Sequence, residues 1–138
     1  MVNAASGVAV DDEYKVKFME LKRKKEYRYI IFKMDQAAPK ITVEKTGAPN
    51  ESYDEFTNSL PEGDCRYAVY HFEFVTKDNC QKSKIFFISW SPDVSRVRSK
   101  MLYASSKDRL KRELDVHHEV QATDTTEVDV ERLKERCH

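Results

Sequence analysis

Apolar residues change their period along this chain, and the changes mark out its elements. Tyr14, Phe18 and Leu21 recur at helical spacing, with Lys15, Lys17, Lys22 and Arg23 around them and Asp11-Asp12 in front. Carboxylates at a helix start and cations at its end complement the helix dipole, so an amphipathic helix is predicted up to about Lys25. Residues 27–34 are rich in aromatic and β-branched side chains and read as a strand. Residues 40–46, which alternate through Ile41, Val43 and Lys45, read as a second, with a hairpin turn over 35–39. Gly47-Ala48-Pro49-Asn50 breaks the pattern. Tyr53, Phe56 and Leu60 then fit a short helix that Pro61 and Gly63 stop.

The second half is more strongly patterned. Across 65–76, Tyr67, Val69, His71, Glu73 and Val75 alternate with Ala68, Tyr70, Phe72 and Phe74, which predicts a long strand. Residues 83–90 carry Ile85-Phe86-Phe87-Ile88; apolar side chains on both faces predict a central strand covered on both sides. Ser91-Pro92-Asp93 is a helix-start signal, with proline in the first turn and a long helix running to about Leu114. Residues 119–123 suit a short edge strand, and Thr125, Thr126, Val128 and Leu133 a last short helix. This order favours an α/β fold, one sheet with helices on both faces. Residues 1–10, small and weakly patterned, are expected to be a mobile arm ahead of a folded domain spanning 11–138.

Composition narrows the function. The 138 residues suit one domain, and 40% apolar with 35% charged fits neither a disordered nor a membrane chain. Basic and acidic residues balance at 24 each, so net charge predicts no nucleic-acid or membrane partner; any electrostatic partner must meet a local patch. Cys65, Cys80 and Cys137 are odd in number and lack metal-type spacing, and no secretory apolar core precedes them, so a reduced intracellular compartment is expected. Only three glycines are present, which argues against a phosphate loop. Of His71, His117, His118 and His138, the His117-His118 pair is a weak metal suggestion without partners. A Cys–His nucleophile at Cys65 or Cys80 is formally available, but buried structural thiols are far commoner. No catalytic residue, metal or cofactor is expected.

The long helix admits two readings at about 100° per residue. In one, Val94, Val97, Met101 and Ala104 form the core face. In the other, Ser99, Leu102, Tyr103, Ser106, Leu110 and Leu114 do, leaving Arg98, Met101, Ser105, Asp108 and Arg112 in a row facing out. An outward methionine beside arginine suits a protein interface; an inward one fills a core gap. Arg96, Lys100, Lys107 and Lys111 fall in a sector of roughly 60°, a basic stripe suited to anionic headgroups.

Three stretches now carry a resemblance. Val97-Arg98-Ser99-Lys100-Met101-Leu102-Tyr103-Ala104-Ser105-Ser106-Lys107-Asp108-Arg109 resembles the hallmark helix of the actin-depolymerising factor/cofilin family. The block from Asn79 to Asp93 resembles the same family's strand and turn. Asn3-Ala4-Ala5-Ser6-Gly7 and Ala122-Thr123-Asp124 resemble its plant-type branch. The likeness runs from about Ser6 to Leu133.

It implies a central mixed sheet of about five strands and a monomer that binds actin monomers and filaments, severs filaments and promotes depolymerisation. It assigns Arg98, Lys100 and Met101, with Ser105 at the edge and Ser6 in the arm, to the surface shared by monomer and filament. It assigns Lys82, Arg132, Lys134 and Arg136 to a filament-specific surface. It makes Ser6 a regulatory phosphorylation site for a kinase, and phosphoinositides a second class of partner. A cytoplasmic protein of the actin cytoskeleton is implied, and Lys22-Arg23-Lys24-Lys25 resembles the family's nuclear-import cluster. Thr125 stands where proline is usual, and the tail is differently spaced, which weakens the filament assignment. Two other functions stay open: an actin-bundling variant and a phosphoinositide-binding signalling module.

Overall fold

The computed structural model describes residues 9–10, 13–35 and 40–137. Its elements run β1 (Ala9–Val10), α1 (Glu13–Arg23), β2 (Tyr29–Asp35), β3 (Lys40–Gly47), α2 (Tyr53–Asn58), β4 (Arg66–Val75), β5 (Gln81–Trp90), α3 (Val97–Leu114), β6 (His118–Ala122), a 3-10 turn (Thr125–Val128) and α4 (Val130–Glu135). Among the described residues six strands form one sheet in the order β1-β3-β2-β4-β5-β6. The pairs β2–β3, β2–β4 and β4–β5 are antiparallel, whereas β1 on β3 and β6 on β5 are parallel.

Alternation along the strands builds two cores, because successive side chains leave a strand on opposite faces. Ile30, Phe32, Met34, Tyr67, Val69 and Phe87 face Tyr14, Phe18 and Leu21 of α1 and Tyr103, Leu110 and Leu114 of α3. Tyr29, Ile31, Ala68, Tyr70, Phe86 and Ile88 face Phe56 of α2 and Val128 and Leu133 of the C-terminal segment. The α/β sheet with helices on both faces is therefore present, and β5 is doubly covered. Gly47 is fixed by close approach: a Cβ there would lie 2.0 Å from the Tyr29 ring.

Several expectations are corrected. The sheet reaches into the segment read as an arm, since Ala9 and Val10 pair with Lys40 and Ile41. The β2–β3 turn at 36–39 and residues 1–8 lie outside the described residues. Between β2 and β3 the register slips: Ile31 pairs with Lys45 but Phe32 with Val43, leaving Glu44 as a bulge. The long helix starts later than its proline signal. Pro92 opens a separate turn, closed by the Ser95 amide and hydroxyl donating to the Pro92 carbonyl at 3.0 and 2.5 Å. The final helix is split because the extended Asp129 interrupts it and caps the second piece, accepting from the Glu131 amide.

Candidate functional site

The sheet decides between the two readings of α3. Ser99, Tyr103, Ser106, Leu110 and Leu114 are buried, and Leu102 packs partly against the same core. The helix is pinned in mid-length: the Tyr103 phenol accepts from the Met34 amide at 2.8 Å, and the Tyr67 phenol donates to the Tyr103 carbonyl. The other apolar stripe stands in solvent. Val94 is 79% exposed, Val97 71% and Met101 67%, with Ala104 exposed beside them. Exposed large apolar residues that line up, rather than scatter, mark a binding surface. Arg98, Ser105, Asp108 and Arg112 are exposed on the same helix, as the outward row predicted. Val94 and Val97 are additions to the predicted site, and their signal was the discarded core stripe itself. Lys100 is half-buried, and its ammonium donates to the Asp93 carbonyl at 2.6 Å, tying α3 to the turn before it.

The basic stripe divides. Arg96 is exposed at the N-cap of α3. Lys107 and Lys111 instead converge on Glu119 of β6, at 2.9 Å to Oε2 and 2.7 Å to Oε1. Burial works to raise the Glu119 pKa, but hydrogen bonds from Lys111, Lys107 and Gln121 outweigh it and hold it down to about 2. No periodicity signals this capture, because it needs β6 to dock beside α3.

The residues read as filament-specific are spread along β5 and α4: Arg136 lies by the start of β6, whereas Arg132 lies toward Asp124 and Glu127 past its far end. Lys82 is exposed on β5, and Arg132, Lys134 and Arg136 are exposed on α4 and just beyond it. The Arg136 guanidinium donates to the Glu119 carbonyl at 2.5 Å, and Lys84 donates to the Arg136 carbonyl at 3.1 Å. Lys134 lies 3.4 Å from Glu131. Helix α4 sits by the sheet face opposite to α3, since its Leu133 belongs to the other core. Ser6 lies outside the described residues. Cys65 is buried against the Ser91 and Ser95 hydroxyls at 3.5 and 3.4 Å, while His117 pairs with Asp115 at 3.1 Å. Among the described residues no three His, Cys, Asp or Glu side chains gather as a metal site.

Comparison with known proteins now decides the relationship. Residues 7–138 match the family described as cofilin/tropomyosin-type actin-binding protein. The chain belongs to this family. Among its cofilin-family relatives, an actin-depolymerizing factor of Vitis vinifera is 64% identical over 138 residues, covering 99% of this chain and 96% of that one. One from Lilium longiflorum is 63% identical, covering 99% of each chain. The crystal structure of Streptomyces griseoflavus cofilin superimposes with a TM-score of 0.86 at 38% identity, over 94% of this chain and 96% of that one. The family is one of actin-binding proteins rather than enzymes, so the chemistry to explain here is recognition.

Proposed function

We propose that this protein binds actin and depolymerises actin filaments, with the outward face of α3 as its primary docking surface. One observation carries the reading: Val97 and Met101 stand exposed one turn apart beside Arg98, on a helix whose opposite side is pinned to the sheet, with Val94 exposed in the turn just before it. Withdrawing an apolar side chain of this size from water contributes about 1.5–3 kcal/mol. Arg98 supplies a charged anchor of the kind enriched at interface centres. Lys100 acts partly by holding the 92–95 turn, and so Val94, in place.

Severing and depolymerisation need no bond chemistry from the protein. A ligand that prefers one filament geometry shifts the filament toward it, and bare and decorated stretches then meet at a strained boundary. Two separated surfaces suit that mechanism: α3 for one actin subunit, and Lys82 of β5 with Arg132, Lys134 and Arg136 of the C-terminal segment for its neighbour. Phosphate on Ser6, introduced by a kinase, would add about −1.5 to −2 charges and weaken docking. Equal actin affinity of phosphorylated and unmodified protein removes this switch. Phosphoinositides are proposed as a second ligand of α3. A cytoplasmic place with the actin cytoskeleton follows, and the exposed Lys22-Arg23-Lys24-Lys25 run supports nuclear entry. A fusion with that run neutralised, if it enters nuclei as readily as wild type, removes the nuclear part.

The experiment is actin co-sedimentation with Arg98→Ala combined with Lys100→Ala, alongside time-lapse imaging of labelled filaments. The folded double variant should lose most monomer and filament binding; undiminished binding would sink the assignment of α3. Filaments gathering into bundles, instead of shortening and breaking, would make the protein a bundling member of the family.

A further inference from the structure

We propose that Lys107, Lys111 and Gln121 form an anion cradle that the chain keeps filled with its own Glu119 carboxylate, so that Glu119 limits how strongly α3 takes phosphate-bearing ligands. The inference rests on the reading of α3 as a phosphoinositide-binding face and names its regulator.

Lys107 and Lys111 are one helical turn apart and therefore lie on one side of α3. Each reaches a different oxygen of one carboxylate, at 2.9 and 2.7 Å, and the Gln121 amide adds a third donor at 2.8 Å. Three donors converging on one anionic group match the several acceptor oxygens of a phosphate monoester. The cradle is reachable from solvent: the side chains of Lys107, Lys111 and Glu119 are 19%, 24% and 18% exposed. Lys111 also borders an open groove with Arg112, Val116 and His117, where Asp108 and Asp115 are the opposing charges. The strongly depressed pKa of Glu119 keeps the internal occupant ionised at any physiological pH. An external phosphate must therefore displace a carboxylate already bound by three donors. Arg96, and Lys100 when it leaves the Asp93 carbonyl, remain as the open part of the stripe.

Removing the internal anion should open the cradle. Glu119→Gln keeps acceptor and shape but deletes the charge, raising the net charge of the two lysines and residue 119 from +1 to +2. One extra basic charge at an anionic surface raises affinity about fivefold. The assay is co-flotation with phosphatidylcholine vesicles carrying phosphatidylinositol bisphosphate, at one ionic strength, with far-UV circular dichroism confirming the fold. Glu119→Gln should bind about fivefold more tightly, Glu119→Asp should stay near wild type, and Lys107→Ala with Lys111→Ala should cancel the gain. Glu119→Ser replaces Glu119→Gln if the latter melts early. A parallel titration with free inorganic phosphate separates the sources. A gain there too supports a site for phosphate in any form, and a gain on vesicles alone supports a lipid headgroup. If Glu119→Gln binds like wild type while the lysine pair is needed in the wild-type background, the cradle is already open and the proposal fails. If neither change alters vesicle binding in any background, the lipid reading of the stripe falls with it.

Discussion

Met101 and Tyr103 stand two residues apart on α3 and face opposite sides of the helix: Met101 is 67% exposed, whereas Tyr103 is 3% exposed and closes α3 onto β2 through the Met34 amide. Stability and binding are therefore separable on one turn of helix. Tyr103→Phe leaves a buried amide without its acceptor and should cost about 1–3 kcal/mol of stability. Met101→Ala should leave the melting temperature nearly unchanged, because a solvent-facing side chain contributes little to folding. Its actin affinity should fall, by about tenfold if the residue is an interface anchor. A Met101→Ala protein that melts early but binds normally would reverse the assignment.

The tail tests the second surface. Arg132→Ala, Lys134→Ala and Arg136→Ala together should lower filament co-sedimentation and severing more than monomer binding. The three residues lie by the sheet face away from α3. A parallel fall in monomer affinity would show that the two surfaces are not independent.

Ser106 carries the opposite kind of signal. It is fully buried on the inner side of α3, and its hydroxyl oxygen has no hydrogen-bond partner among the described residues. An unpaired buried hydroxyl is a cost that alanine removes, so Ser106→Ala should stabilise the fold by about 1 kcal/mol. Chemical denaturation reads this directly. A loss of stability would mean that a partner, such as a bound water, satisfies the hydroxyl.

His71 gives a pH dependence with a definite sign. Burial lowers its pKa; Glu73 opposes this, and Lys25 and Arg28 reinforce it. The folded protein therefore holds the neutral ring where the unfolded chain would already protonate. That stability is complete above the unfolded value of about 6.5 and is lost as pH falls below it. His118 shifts the same way, again by burial first and then by Lys84 and His117. Glu119, held down to about 2, adds no loss in this window. The melting temperature should drop between about pH 7.5 and about pH 5.5, and His71→Gln should shrink the drop. An unchanged drop would assign the acid sensitivity elsewhere.

Asp115 ends α3 in the left-handed region, at φ 56° and ψ 49°. A non-glycine residue pays for that conformation, and a carboxylate also faces the negative end of the helix dipole. Asp115→Gly should therefore raise stability by about 0.5–1 kcal/mol, since the exposed ion pair with His117 offsets little. A lower melting temperature would show that the ion pair outweighs the strain.

Much of this protein was legible in its sequence, because alternation and helical spacing are local consequences of backbone geometry. Tyr67 and Val69 against Ala68 and Tyr70 announced two buried faces, and Phe86-Phe87 a doubly covered strand. The 97–109 motif announced the family, and with it Arg98, Lys100 and Met101 as the site to inspect. Periodicity did not choose which stripe of α3 is inside. Val94, Val97 and Met101 are as apolar as a core, and only the docking of Tyr103 and Leu110 onto β2 and β4 leaves them facing water. Nor did it show that Pro92 opens a turn separate from the helix, or that Asp129 divides the final one. The fate of the basic stripe was likewise hidden: Lys107 and Lys111 look free on a wheel. They are captured by Glu119, eight residues or more along the chain, because the parallel pairing of β6 with β5 brings that carboxylate beside α3. Spacing along the chain fixes which side chains share a face; what each face meets depends on contacts between distant segments, and those exist only once the sheet has formed.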